Sequence, residues 1–115
     1  MLADALTEVT DDTFAELVLG NPLPVVVDFW AEWCPPCRPV ARTLAELAGE
    51  FAGQLVIAQL NADENPVATR NYRVLSMPTL LFFRRGTVVN SIVGARPKSH
   101  LRQALSGAFA PYANR

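Results

Sequence analysis

Cys34 and Cys37 are the chain's only cysteines, and they stand two residues apart in Trp33-Cys34-Pro35-Pro36-Cys37. Helical residues three apart share a face, with Cβ atoms roughly 5–6 Å from one another. A disulfide spans Cα atoms about 4.4–6.8 Å apart with little distortion, so this spacing suits a reversible dithiol/disulfide pair. A bridge closing so short a loop removes little entropy from the unfolded chain and adds little stability. Its value is chemical.

The β-branched run before the cysteines and the helical periodicity after them place the pair at a strand-to-helix junction. Backbone N–H groups in a helix's first turn lack partners, and the positive end of the helix dipole favours thiolate over thiol. Cysteines so placed have pKa values lowered from about 8.5 into a range of roughly 3.5–7.5. Cys34 is therefore the expected nucleophile. Cys37, one turn further in beside Arg38, is the expected resolving thiol that attacks the mixed disulfide. A structural zinc site or an iron–sulfur cluster calls for about four ligands, and beyond this pair the chain offers no cysteine and only His100. A site shared between two chains and a pair of inert buried thiols are the competing readings.

Asp28 is the second residue with chemical potential. It interrupts Val25-Val26-Val27-Asp28-Phe29-Trp30, a run that reads as a buried central strand. A carboxyl there is poorly solvated, and desolvation raises its pKa toward the range where it exchanges a proton near neutrality. We assign Asp28 as the acid/base for Cys37. The alternative is a buried acid that is merely paired or capping.

The elements that must position these residues alternate along the chain. A short strand is expected near Leu6–Val9. Thr10 follows as the N-cap of a helix carrying Asp11 and Asp12 in its first turn and Phe14, Leu17 and Val18 on one face. Gly20-Asn21-Pro22 ends that helix. After the Val25–Trp30 strand, Val40, Leu44, Leu47, Ala48 and Phe51 mark a helix over Pro36–Phe51. Leu55–Leu60 reads as a strand, and Asn65-Pro66 as an N-cap with proline at the first position of a Pro66–Tyr72 helix. Thr79–Phe83 and Val88–Val93 form a hairpin around Arg84-Arg85-Gly86-Thr87, and a last helix runs from Pro97 to Phe109. The pattern predicts an α/β layered sheet with crossovers and an antiparallel edge, in one domain over residues 1–115.

Composition supports a packed domain: half of the 115 residues are hydrophobic and the net charge is −1. That length buries roughly two-thirds of its unfolded surface. So small a charge gives no field for nucleic acid or an anionic membrane, and Arg84-Arg85 reads as a solvated turn. No apolar run approaches the roughly 20 residues of a membrane span. Met1-Leu2-Ala3-Asp4-Ala5 has neither the basic region nor the apolar core of a signal peptide. A cytoplasmic location is expected.

Taken together, Asp28-Phe29-Trp30-Ala31-Glu32-Trp33-Cys34 within Val25–Cys37, Asn61-Ala62-Asp63-Glu64-Asn65-Pro66, Met77-Pro78-Thr79, Gly86 and Val93-Gly94-Ala95 resemble the landmarks of the thioredoxin family in the right order. The resemblance covers Thr10 to Leu105. It implies the thioredoxin fold, a central mixed β-sheet flanked by helices on both faces, and a monomeric protein-disulfide reductase. Electrons would come from NADPH through a separate flavoprotein thioredoxin reductase. The chain itself carries no dinucleotide-binding glycine motif, so no bound cofactor or metal is expected.

Carried over residue by residue, the resemblance implies Cys34 as nucleophile, Cys37 as resolving thiol and Asp28 as acid/base. It also implies a cis bond before Pro78, which would lie against the disulfide. Trp33, Pro36, Met77, Pro78, Val93, Gly94 and Ala95 would form the apolar surface on which a target strand docks by backbone pairing. Four features depart from the family pattern. Gln59 stands where a lysine is common, Pro35 where glycine is usual, and Ser76 where glycine is frequent. The helix after Cys37 has Pro39 early and Arg42 where a helix-kinking proline is common. Two further functions remain open: a specialised reductase serving one pathway, and a non-enzymatic chaperone or scaffold subunit.

Overall fold

The computed structural model describes residues 6–108. Five strands build a mixed sheet: β1 (Thr7–Glu8), β2 (Val25–Trp30), β3 (Val56–Asn61), β4 (Thr79–Arg84) and β5 (Thr87–Val93). Their spatial order is β1-β3-β2-β4-β5. β3 pairs in parallel with β1 and β2, whereas β4 runs antiparallel to both β2 and β5. Among the described residues the sheet is accompanied by three α-helices, α1 (Cys37–Glu50), α2 (Pro66–Asn71) and α3 (Lys98–Ala108). Each predicted strand and each of these helices is present with ends moved by a residue or two, and Phe109 lies outside the described residues.

Strand alternation sorts the core into two layers. Val26 of β2, with Ile57, Leu80 and Phe82, packs on the side that holds Val40, Leu44 and Leu47 of α1 and Leu101 and Leu105 of α3. Val25, Val27 and Phe29 point the other way, onto Phe14, Val18, Ala68 and Val74. Leu44, Leu47, Leu60 and Phe82 have no exposed surface, and each such side chain contributes about 1.5–3 kcal/mol by leaving water. β2 is thus covered on both faces, which is why its sequence is almost continuously apolar.

The first helix departs from its expected form. Thr10 and Thr13 cap each other: the Thr10 N–H donates to Thr13 Oγ1 at 2.9 Å and the Thr13 N–H to Thr10 Oγ1 at 3.3 Å. The chain then winds as a π-helix over Ala15–Leu19, closed by the Gly20 N–H on the Ala15 carbonyl at 2.8 Å. The wider turn keeps Phe14 and Val18 on the sheet. Phe14, Tyr72 and Phe83 form a three-ring cluster with centroids 5.2–5.7 Å apart, so the α2 C-terminus is fixed against β4.

Asp11 is not used by its own segment. Its carboxylate accepts the Val67 and Ala68 N–H groups at 3.0 and 2.8 Å, capping α2 from 56 and 57 residues away in sequence. Asn65 holds the N-cap position with Pro66 behind it, as expected, but makes no side-chain cap bond. Its amide instead accepts the Asp11 N–H at 2.8 Å and donates to the Asn61 carbonyl at 3.0 Å. Asp11→Ala leaves two α2 donors unpaired and should lower the unfolding free energy by about 1–2 kcal/mol. Urea titration of the variant measures this, and an unchanged midpoint rules out the distant cap.

The β4–β5 connection is a two-residue turn in which Arg85 (φ 50°) and Gly86 (φ 80°) both adopt left-handed backbone. Two successive residues of this kind make the turn whose twist matches an antiparallel pair. Gly86 serves it without a Cβ penalty.

Candidate redox site

The site grows from the end of β2. Ala62 N–H donates to the Trp30 carbonyl at 2.8 Å and Cys34 N–H to the Ala31 carbonyl at 3.2 Å, so β2 hands the chain directly into a turn that becomes α1. Cys34 and Cys37 are joined by a disulfide with Cα atoms 5.4 Å apart. Both cysteines are 2% exposed, and they cluster with Ala31, Trp30 and Met77. Cys34 lies in the turn ahead of α1, while Cys37 is its first residue.

The donors expected around Cys34 are fewer than its position suggests. Pro35 and Pro36 have no N–H, and the Cys37 and Arg38 N–H groups turn back onto the Cys34 and Pro35 carbonyls at 3.1 and 3.4 Å. Pro39 falls inside the first turn of α1, where a missing donor costs least. The helix runs from Cys37 to Glu50 with Arg42 on its exposed side.

Asp28 is fully buried, and neither carboxylate oxygen has a hydrogen-bond partner. Desolvation pushes its pKa from an ordinary 3.8 up to about 7. Its register partners are Gln59 on β3 and Leu80 on β4. Side chains directly opposite share a face, and Leu80 packs in the layer that α1 covers. The acid thus sits beneath the helix that begins at Cys37. Gln59, half-buried beside it, provides no charge to hold the carboxylate ionised. In Gln59→Lys an ammonium enters that position, and the Asp28 midpoint should fall by about one pH unit or more. Titration of the Asp28 carboxyl carbon by NMR reads the change; a midpoint that stays or rises sinks the account.

The remaining predicted site residues fall at the same end of the sheet. Met77-Pro78 is a cis peptide. Pro78 is buried and Met77 half-buried against the cysteines. The Thr79 hydroxyl donates to the Ser76 carbonyl at 2.6 Å, tying down the preceding loop. Gly94 N–H donates to the Pro78 carbonyl at 2.8 Å, which brings Val93-Gly94-Ala95 alongside. Gly94 has φ +94°, and a Cβ there would stand 3.2 Å from the Arg96 guanidinium. Trp33, Pro36, Val93 and Ala95 are exposed, with Trp33 at 62% and Val93 at 55%.

One contact at the site was not anticipated. The Trp33 indole N–H donates to Asp63 Oδ2 at 2.8 Å, and Asp63 is itself held by Asn61, whose side-chain oxygen accepts the Asp63 and Glu64 N–H groups at 3.0 and 3.3 Å. The Asn61–Asn65 turn therefore orients the aromatic beside the disulfide. The cluster of Asn and Asp after β3 signals a turn, but its partner 30 residues away is a tertiary matter.

Residues 5–107 match the thioredoxin family model. The chain belongs to the thioredoxin family. It is 51% identical to thioredoxin of Streptomyces clavuligerus over 87% of this chain and 92% of that protein. It is 46% identical to thioredoxin 1 of Nostoc sp. over 88% and 94%. A chloroplastic M-type thioredoxin of Spinacia oleracea is 42% identical over 90% of this chain and 58% of its own length. As a thioredoxin-family member with a Cys34–Cys37 disulfide, the protein is a thiol-disulfide oxidoreductase that reduces disulfides in other proteins. Among the described residues no group of side chains could hold a metal ion, and no helix is long and apolar enough to cross a membrane.

Proposed function

We propose that Cys34 and Cys37 divide the reaction between them, with Asp28 moving the proton. The Cys34 thiolate attacks one sulfur of a target disulfide and displaces the other as a thiolate that takes up a proton. Asp28 as carboxylate removes the Cys37 proton. The Cys37 thiolate then attacks Cys34 Sγ, breaking the mixed disulfide and releasing the second target thiol. The target gains two electrons and two protons, and this chain is left oxidised. What carries the reading is the buried, unpartnered Asp28 carboxyl beneath the helix that starts at Cys37.

A pKa near 7 suits this task, because both protonation states are accessible at neutrality. Trp33, Pro36, Met77, Pro78, Val93, Gly94 and Ala95 are the proposed docking surface for a target strand. NADPH, through a separate flavoprotein thioredoxin reductase, returns the two electrons. In this reading the whole chain, 1–115, acts as one monomeric domain in the cytoplasm, as a general donor in redox homeostasis.

The test is turnover of insulin disulfides with NADPH and a thioredoxin reductase. Continuous NADPH consumption dependent on this chain is expected. Insulin reduction driven by dithiothreitol alone, with no turnover from any thioredoxin reductase, points to a dedicated donor. Absence of reduction under both conditions, with partner binding intact, would select a scaffold.

A further inference from the structure

Met77 is half-buried and packs against two clusters at once. One holds Phe14, Val74 and Phe83; the other is the redox pair itself, Cys34 and Cys37, with Ala31 and Trp30. The side chain thus touches the reacting sulfurs while keeping part of its surface in water. Its backbone is tied on either side. The Thr79 hydroxyl donates to the Ser76 carbonyl at 2.6 Å, and the Gly94 N–H to the Pro78 carbonyl at 2.8 Å. A chemical change in this side chain is therefore felt at the cysteines rather than absorbed by the loop.

The sulfur inventory gives that contact a second meaning. The sequence holds two cysteines and two methionines. Cys34 and Cys37 are bonded to each other, and Met1 lies outside the described residues. Met77 is then the one side-chain sulfur among the described residues not held in a disulfide. An oxidant that meets the dithiol closes the disulfide, which a reductant reopens. An oxidant that meets the disulfide form finds the Met77 thioether beside it. Oxidation of methionine to the sulfoxide turns a flexible apolar side chain into a polar one, and enzymes reverse it.

We propose that Met77 is an oxidation site at which a hydroperoxide lowers the protein's disulfide-reductase activity. The thioether sulfur donates an electron pair to the distal peroxide oxygen as the O–O bond breaks. An S–O bond forms, the proton of the transferred oxygen passes to the departing one, and the peroxide leaves as water or an alcohol. Sulfur is oxidised by two electrons and the peroxide is reduced by the same two. The sulfoxide oxygen is a strong acceptor placed in an apolar contact. Nearby backbone donors are already engaged, with Cys34 N–H on the Ala31 carbonyl, Cys37 N–H on the Cys34 carbonyl and Gly94 N–H on the Pro78 carbonyl. An unpaired polar group is costly there, so the oxidised side chain leaves the cysteines for water and uncovers them. The effect rests on the reductase activity and on contact with the reacting sulfurs, and it requires no particular docking surface.

The experiment treats the disulfide form with hydrogen peroxide alongside N-acetylmethionine as a reference thioether. Peptide mass spectrometry locates added oxygen, and insulin reduction driven by dithiothreitol gives the rate. Met77 should gain one oxygen, and the rate should fall on the order of tenfold, the effect of one unpaired polar group in an apolar contact. Methionine sulfoxide reductases should remove the oxygen and restore the rate. Met77→Leu, scored against its own untreated rate, should lose nothing. The site is overturned if the reference is consumed while Met77 stays intact, or if the sulfoxide forms and the rate is unchanged. An equal loss in Met77→Leu overturns it too, as does a loss that the sulfoxide reductases leave in place. Should Met77→Leu fail to fold, the rescue of wild type decides the matter. Untreated wild type that reduces no insulin overturns the underlying reductase function instead.

Discussion

Cys34→Ser should abolish insulin-disulfide reduction, a fall of at least roughly a thousandfold, because a hydroxyl at neutral pH is a negligible nucleophile beside a thiolate. Cys37→Ser should fail differently. It retains the attacking sulfur and removes the one that resolves, so it accumulates a mixed disulfide with its target, visible as a covalent adduct by mass spectrometry. If the roles were exchanged, Cys34→Ser would trap the adduct and Cys37→Ser would be inert. The proposed order rests on Cys34 lying in the turn ahead of α1 and Cys37 being its first residue. Neither substitution should cost much stability, since the bridge closes a loop of only two intervening residues.

Asp28→Asn should stabilise the protein at alkaline pH and leave it little changed at pH 4. The sign follows from proton uptake. The folded state holds the Asp28 proton up to about pH 7, whereas an ordinary carboxyl loses it near 3.8. Between those values the native state binds more protons than the unfolded state, so stability falls as pH rises and levels off above pH 7. At about 1.36 kcal/mol per pH unit, the penalty reaches on the order of 4 kcal/mol. Asparagine cannot ionise and escapes it. Urea titrations of both proteins at several pH values should diverge progressively from about pH 4 to pH 7. Parallel curves would show that Asp28 is not desolvated as described. The same substitution should slow thiol–disulfide exchange at neutral pH by roughly a hundredfold, since it removes the proposed base for Cys37. Greater stability with lower activity is a combination that a purely structural Asp28 would not produce.

These expectations share a cause in the way β2 is built. Its two apolar faces are demanded by helices on both sides of the sheet, and Asp28 is carried into that layer by strand alternation. The carboxyl is tolerated because it can remain protonated. The same strand delivers the chain to Cys34. One segment therefore supplies both the position of Cys34 and the burial of Asp28.

Much of this was legible from local signals. The Val25–Trp30 run, the helical spacing from Val40 to Leu47 and the Arg85-Gly86 turn each report their own geometry through nearest neighbours, so strands, helices and hairpin were readable. The Cys34–Cys37 pairing was too, because three residues span the bridge. The π-helix at Ala15–Leu19 was not. An apolar face of Phe14, Leu17 and Val18 fits α and π winding alike, and packing against Tyr72 and Phe83 accompanies the wider turn. By local capping rules Asp11 serves its own segment, whereas its partners Val67 and Ala68 arrive only when β1 pairs with β3.

By itself, then, the sequence determined the pairing of Cys34 with Cys37, the burial of one acid, and the alternation of strands and helices. Each depends on residue type and spacing over a few positions. Only the tertiary structure decided that Asp63 holds Trp33, that Asp28 lacks any hydrogen-bond partner, and that Asp11 caps α2. Those facts join residues 30 to 57 positions apart, or turn on what surrounds a carboxyl in three dimensions. Chain order carries no distance information on that scale until the sheet closes.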